Sequence, residues 1–259
     1  MKSNSRVAIV TGSSKGIGFS IAETLAHKNV KILLISRKKK NLISACKKLK
    51  KTGAEVQFLV GDLKSEKTPK KAINICIKKW GRVDILINNT GGPPPGTILN
   101  LKKNDWENAI QNNLKSVVRF TTETLPIMKK QKWGRIVTIN STIVKEPSPN
   151  MILSATSRGG LLAFNKAIAI EFAKYNITSN IISPGAVSSE RFINLIKVAA
   201  KNEKKTIKKK ISEIKKLIPA NRIADPIEIA NTASFLVSEK ASYITGINLS
   251  VDGGFTKSY

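Results

Sequence analysis

Apolar and polar positions along this chain follow two periods in turn. Short apolar runs of strand length fall at Val7–Val10, Val30–Ile35, Val56–Val60, Ile85–Ile87, Ile136–Ile139, Ser179–Ile182 and Ile247–Val251. Between them apolar residues recur at helical spacing on one stripe, as in Ile17, Ile21, Ala22 and Leu25, or Leu42, Ala45, Cys46 and Leu49. A longer stripe carries Trp106, Ala109, Ile110, Asn113, Leu114 and Val117. Strands that are apolar throughout are buried on both faces, and helices alternating with them are what bury them. The pattern predicts an α/β fold, a Rossmann-type doubly wound parallel sheet of about seven strands with helices on both faces. In such sheets ligands bind beyond the carboxyl ends of the strands, near the switch point. No repeat or linker divides the chain, so residues 1–259 read as a single domain. Residues 189–217 break the rhythm as a lysine-rich, helix-prone insertion after a strand end. A lid over the ligand crevice and a plain surface excursion are both open readings of it.

The first strand runs directly into Thr11-Gly12-Ser13-Ser14-Lys15-Gly16-Ile17-Gly18, and the first helical stripe begins inside that turn. Strand, glycine turn and helix in this order suit a dinucleotide pyrophosphate. Glycines let the backbone turn tightly and approach the phosphates, and the helix N-terminus offers free N–H groups and a positive dipole end. Gly12, Ser14, Gly16 and Gly18 are the expected pyrophosphate holders. At the end of the second strand stand Ser36 and Arg37, where an enzyme using NAD would place an acid on the ribose 2′-hydroxyl. Arg37, with Lys15 from the glycine turn, supplies cations for a 2′-phosphate, so NADPH/NADP+ is expected in preference to NADH. The bland reading is that Arg37 heads a solvated run with Lys38, Lys39 and Lys40.

Composition then narrows the classes. The 259 residues carry a formal net charge of +28, with lysine runs such as Lys38–Lys40, Lys70-Lys71 and Lys208–Lys210. Clustered cations could serve a nucleic-acid backbone. No zinc spacing, recognition helix or basic–aromatic RNA motif accompanies them, so exposed helix faces filled with lysine are the favoured reading. The field would still attract anionic substrates. With 41% hydrophobic residues the composition is globular, and no apolar run approaches the ~18–20 residues of a membrane span. Met1-Lys2-Ser3-Asn4-Ser5 holds no apolar signal core. Cys46 and Cys76 have no partner cluster or ligand spacing, so no metal site is expected, and they read as packed thiols of a reducing cytoplasm.

Further motifs in the same order resemble the short-chain dehydrogenase/reductase family over essentially the whole chain. Gly12, Gly16 and Gly18 match its cofactor turn, with Lys15 and Ile17 among them, and Asp62-Leu63 stands where the family contacts adenine. Asn88-Asn89-Thr90-Gly91 matches its Asn-Asn-Ala-Gly motif with Thr90 for the alanine, and Asn113 falls on its helix-kink asparagine. Ser141, ending Gly134-Arg135-Ile136-Val137-Thr138-Ile139-Asn140-Ser141, falls on the catalytic serine. Pro184-Gly185 and the closing Val251-Asp252-Gly253-Gly254 fit as well, and Val187 and Ser189 follow on the cofactor side.

The resemblance implies an oxidoreductase that moves a hydride between NADPH and a carbonyl or hydroxyl substrate. The nearest subgroup is the 3-oxoacyl-acyl-carrier-protein reductases with related sugar and alcohol dehydrogenases. It also implies an acyl-thioester or other small-molecule substrate, presented by an acidic carrier that Lys129, Lys130, Lys132 and the lysines of 204–216 could face. A homo-oligomer, a tetramer, follows by analogy.

One departure bears on chemistry. The family's proton donor is a tyrosine followed four residues later by a lysine; registered on Ser141 and on Gly159-Gly160-Leu161-Leu162-Ala163-Phe164, those positions hold Ser154 and Arg158. Tyr175, Tyr243 and Tyr259 are the chain's only tyrosines, and none fits the motif. A serine hydroxyl is shorter and far less acidic than a phenol, so it would reach a carbonyl through water. Arg158 keeps the positive charge and, with Asn89 and Gly91 nearby, can hold the nicotinamide-side ribose, but it relays no proton. His27, the only histidine, ends the first helix and reads as a helix-end cation. Asn113, Ser141, Ser154 and Arg158 are therefore the expected catalytic set. The paired polar replacement and the intact cofactor apparatus favour an enzyme with an altered centre. The competing account is a cofactor-binding, catalytically impaired homologue with a binding or regulatory role.

Overall fold

The computed structural model describes residues 5–258; Met1-Lys2-Ser3-Asn4, on which the leader reading rests, and Tyr259 lie outside the described residues. The elements run β1 (Val7–Thr11), α1 (Gly16–Ala26), β2 (Lys31–Ser36), α2 (Lys39–Lys50), β3 (Val56–Val60), α3 (Lys67–Trp80), β4 (Ile85–Asn89) and α4 (Lys103–Ile110). A π-helical turn, Gln111–Lys115, joins α4 to α5 (Ser116–Gln131). Then follow β5 (Gly134–Ile139), α6 (Ile152–Phe172), β6 (Ile177–Pro184), α7 (Glu190–Asn202), α8 (Ile207–Leu217), α9 (Pro226–Leu236) and β7 (Asn248–Val251). The strands form one seven-stranded sheet in the order β3-β2-β1-β4-β5-β6-β7, parallel throughout.

The apolar runs explain the layers. Successive strand residues point to opposite faces, so Ala8, Val10, Ile32 and Leu34 pack with α1, α2 and α9 on one side. Val7, Ile9, Leu33 and Ile35 pack with α3, α5 and α6 on the other. The chain leaves β1 toward β2 and β3 and later returns to β4 on β1's other side, which makes the β1/β4 ends the switch point. Thr11 ties that point together: its hydroxyl donates to the Asn89 carbonyl at 3.0 Å and accepts from the Asn89 N–H at 2.9 Å.

Three boundaries differ from the sequence pattern for physical reasons. β5 starts at Gly134 and so includes Arg135, which is fully buried; its guanidinium stacks 4.4 Å over Trp133 and donates to the Asn176 carbonyl. β6 begins at Ile177 and runs to Pro184 because its polar residues find partners inside. The Ser179 hydroxyl donates to Asn165 Oδ1 and the Asn180 amide to the Ile244 carbonyl. The long stripe around Asn113 is not one regular helix but α4 and α5 joined through the π turn.

Cys46 and Cys76 are buried in α2 and α3; burial pushes the Cys76 thiol up to about 12, far from a reactive thiolate. Among the described residues no helix is long and apolar enough to cross a membrane, and no cluster of three His, Cys, Asp or Glu side chains could hold a metal.

Candidate active site

A cavity of about 830 Å³ opens at the carboxyl ends of β1, β2 and β4, where the strand order reverses. Of the residues expected at the cofactor, Gly12, Lys15, Gly16, Ile17, Arg37, Asp62, Leu63, Asn89, Gly91 and Ser189 line it, as does Asn113 of the expected catalytic set. Asn108, Asn112 and Lys64 add polar lining, and α7 forms a further wall through Arg191, Asn194, Leu195 and Val198. The insertion at 189–217 thus folds as α7 and α8, with α7 beside the crevice.

The glycine turn is shaped by close approach. Gly12 has φ +56°, and a Cβ on it would stand 2.5 Å from the Asn89 carbonyl oxygen. Gly18 presses against Gly12 in the same way, a Cβ there meeting the Gly12 carbonyl at 2.5 Å. The Asn89 side chain locks the turn by donating to the Gly12 carbonyl at 3.0 Å. At the N-terminus of α1 no side chain caps the helix and the first turn holds no acid. Its N–H groups and dipole are left for an anion.

Some side chains stand elsewhere than the sequence suggests. Ser14 does not line the cavity; its hydroxyl donates to Oγ of Ser36, which does, at 3.0 Å. Gly18 serves packing under the turn. Lys15 does not stand free for a 2′-phosphate: its Nζ lies 2.8 Å from Glu190 Oε2, which neutralises it and links α1 to α7. The Glu190 carboxyl is held below the usual range by that lysine. Pro184 ends β6, Gly185 packs on Asp252, and Val187 is buried beside Ala224; none of the three lines the cavity. His27 is exposed at the end of α1, away from the crevice.

Two of the expected catalytic residues, Asn113 and Arg158, meet at Thr90. Asn113, fully buried in the π turn, donates through Nδ2 to Thr90 Oγ1 and to the Gly91 carbonyl, both at 2.8 Å. Arg158 on α6 is 5% exposed and donates through Nη1 to the Ile139 carbonyl at 3.2 Å and through Nη2 to Thr90 Oγ1 at 3.4 Å. Burial, reinforced by the positive charge of Arg191, pushes its pKa down to about 10, so it remains a cation at neutral pH. Ser141 caps the short 3-10 helix Thr142–Val144, its hydroxyl accepting from the Ile143 N–H at 3.4 Å and keeping its own proton free. Ser154, 4% exposed in the first turn of α6, has no hydrogen bond to its hydroxyl among the described residues. Ser141, Ser154 and Arg158 do not themselves line the cavity. Buried polar atoms without partners include Asn113 Oδ1, Arg158 Nε and both side-chain atoms of Asn140. Buried polar groups of this kind are where ordered water or a ligand completes a site.

Two participants were not singled out from the sequence. Thr90 receives donors from both Asn113 and Arg158; its departure from alanine was the available signal, and it is the partner of the arginine that departs from lysine. Arg191 had no signal, since its contact at Pro93 spans 98 positions.

Similarity to characterised proteins is extensive. The family described as enoyl-(acyl carrier protein) reductase matches residues 12–256. The 3-oxoacyl-acyl-carrier-protein reductase FabG of Buchnera aphidicola subsp. Schizaphis graminum is 36% identical, covering 98% of each chain. The NADPH-dependent reductase BacG of Bacillus subtilis is 32% identical with the same coverage. Among solved structures, an actinorhodin polyketide ketoreductase variant with NADPH superposes with a TM-score of 0.95 at 28% identity, covering 98% of both chains. An NAD+-bound xylitol dehydrogenase does so with 0.92 at 27%, covering 98% of this chain and all of its own. Likeness of this extent in both sequence and fold makes the chain a member of the short-chain dehydrogenase/reductase family of oxidoreductases.

Proposed function

We propose that the protein is an NADPH-dependent oxidoreductase that moves a hydride between the cofactor and a carbonyl or hydroxyl substrate. The observation that carries this reading is a cavity lined by the glycine turn, Arg37 and Asp62 together with Asn113 and Arg191. The residues fit the cofactor: a Cβ at Gly12 or Gly18 would strike the protein atoms that shape the turn, and the uncapped α1 N-terminus suits a pyrophosphate. Bound there, a reduced nicotinamide supplies the hydride. Asp62 and Leu63 would face adenine, and Asn89 and Arg158 the nicotinamide-side ribose. Ser141 would hold the substrate oxygen. In the reducing direction the proton comes from a water held at the free Ser154 hydroxyl, while Arg158 stays protonated and orients.

The names of BacG and of the ketoreductase support NADPH, whereas the xylitol dehydrogenase bound NAD+. Residue 37 is what tips this chain: it is arginine, and Lys15 is already committed to Glu190. The FabG relative, by its name, acts on 3-oxoacyl carrier substrates, and the +28 charge suits an acidic carrier. Exposed apolar side chains on α6, α9 and β7, among them Ile170, Phe235 and Leu249, suit the homotetramer expected from the family.

An arginine–phosphate hydrogen-bonded pair contributes roughly 1.5–3 kcal/mol, so calorimetry should find NADPH bound about 10- to 100-fold tighter than NADH. Arg37→Asp should reverse the order. Equal affinities for the two cofactors, or a preference that survives Arg37→Asp, would refute it.

A further inference from the structure

Two guanidinium groups meet at the Thr90–Pro93 stretch with no acid between them. Arg158 reaches Thr90 from α6, buried, with Nε unpartnered. Arg191 reaches in from the first turn of α7, donating through Nη2 to the Pro93 carbonyl at 2.8 Å. Its guanidinium lies flat on Gly92: a Cβ there would come within 2.4 Å of Nη2 and 2.8 Å of Nε. Gly92 has no positive φ, so the space it leaves is what it contributes.

Neither arginine has a carboxylate within salt-bridge distance among the described residues. The two acids lining the cavity are occupied, Glu190 by Lys15 and Asp62 by the Lys64 N–H of its own loop. A buried cation is ordinarily paired. Arg158 is such a cation with no acid beside it, and Arg191 adds a second guanidinium at the exposed edge of the cavity, also without an acid.

The placement relates this charge to the reacting end of the site. Gly96, three residues beyond Pro93, pairs with Met151, and the Met151 carbonyl accepts from the Ser154 N–H at 2.9 Å. Arg191 therefore clamps the loop that leans on the start of α6, where Ser154 stands.

We infer that the substrate is an oxo acid, whose carboxylate docks on Arg191 beside Arg158 and so turns its carbonyl toward Ser141 and Ser154. The inference rests on the oxidoreductase reading above. A planar carboxylate suits the guanidinium fork, and a neutral ketone or sugar would leave Arg191 without an acidic partner.

The test is calorimetry on the NADP+-loaded protein, which holds both partners without turnover. The probes are acetoacetate, 3-oxohexanoate and 3-oxooctanoate, each beside its methyl ester. At least one acid is expected to bind about 10- to 100-fold tighter than its ester. Arg191→Gln should abolish the difference, and Arg191→Lys should keep part of it. Gly92→Ala, which displaces the guanidinium without touching its charge, should behave as Arg191→Gln while melting at the parent temperature. If NADP+ itself does not bind, the oxidoreductase reading fails, and the same acid–ester titrations on the protein alone still decide the subsite. Acids binding no better than esters, or not at all, would overturn the inference. So would Arg191→Gln weakening acid and ester equally, which makes Arg191 only a latch. Weaker NADP+ binding with an unchanged acid–ester ratio would assign Arg191 to the cofactor phosphates instead and equally overturn it.

Discussion

Arg158→Met is expected to leave the protein about as stable as the parent while removing most of its turnover. The native guanidinium is buried and lacks a carboxylate partner. Pushing its pKa down from the ordinary guanidinium range to about 10 corresponds to roughly 3 kcal/mol against the charged form. Sign and window follow from linkage. The folded state disfavours the proton, so the disadvantage is fully present below about 10 and would be relieved only between there and the higher unfolded value. Methionine removes it at every pH and fills similar volume. Against this, the Ile139 carbonyl loses its Arg158 donor, at about 1–3 kcal/mol. Thr90 Oγ1 keeps its bond from Asn113. The two terms nearly cancel, so calorimetric Tm should lie within about 4 °C of the parent. Turnover should fall about 100-fold, and NADPH should bind at least about tenfold more weakly, because the ribose side loses its fixed cation. A structural arginine would show the opposite, a large fall in Tm with residual activity in the folded fraction.

Gly12→Ala should cost more stability and remove cofactor binding together. The left-handed φ of +56° disfavours any side chain, by about 1–2 kcal/mol. The new Cβ also meets a backbone carbonyl, that of Asn89 at 2.5 Å, which no rotamer change relieves. Overpacking of this kind adds about 1–3 kcal/mol, so chemical denaturation should give a loss of about 2–5 kcal/mol. NADPH binding should fall below detection, since the displaced atoms are the cradle itself. Gly159→Ala is the control. It sits in α6 with nothing within 4 Å of the added Cβ, and should gain about 0.5–1 kcal/mol. If Gly12→Ala binds NADPH normally, the glycine turn is not the pyrophosphate site.

The sheet was legible because its strands are apolar on both faces and its helices on one. All seven strands fall where the apolar runs lie. The ends of β5 and β6 were not legible, because Arg135, Ser179 and Asn180 are polar residues that find partners inside the fold. Hydropathy along a sequence cannot register a partner supplied from far away. The same limit hid the pairing of Lys15 with Glu190, 175 positions apart. The π turn was foreshadowed only as a kink at Asn113; what fixes it in space is Asn113 reaching back to Thr90 and Gly91 on the other side of the crevice. Thr90 and Arg158 looked like separate departures from the family pattern, and in three dimensions they are bonded to each other.

Hydride transfer at the Ser154 site is tested most directly in a single turnover. NADPH-loaded protein is mixed with oxo acids, acyl thioesters and sugars while the nicotinamide absorbance is followed. NADPH should be consumed in stoichiometric amount with at least one carbonyl class. Ser154→Ala should slow that step about 10- to 100-fold, with the NADPH dissociation constant unchanged. NADPH that binds but is consumed with no carbonyl, or a consumption rate indifferent to Ser154→Ala, would contradict the account.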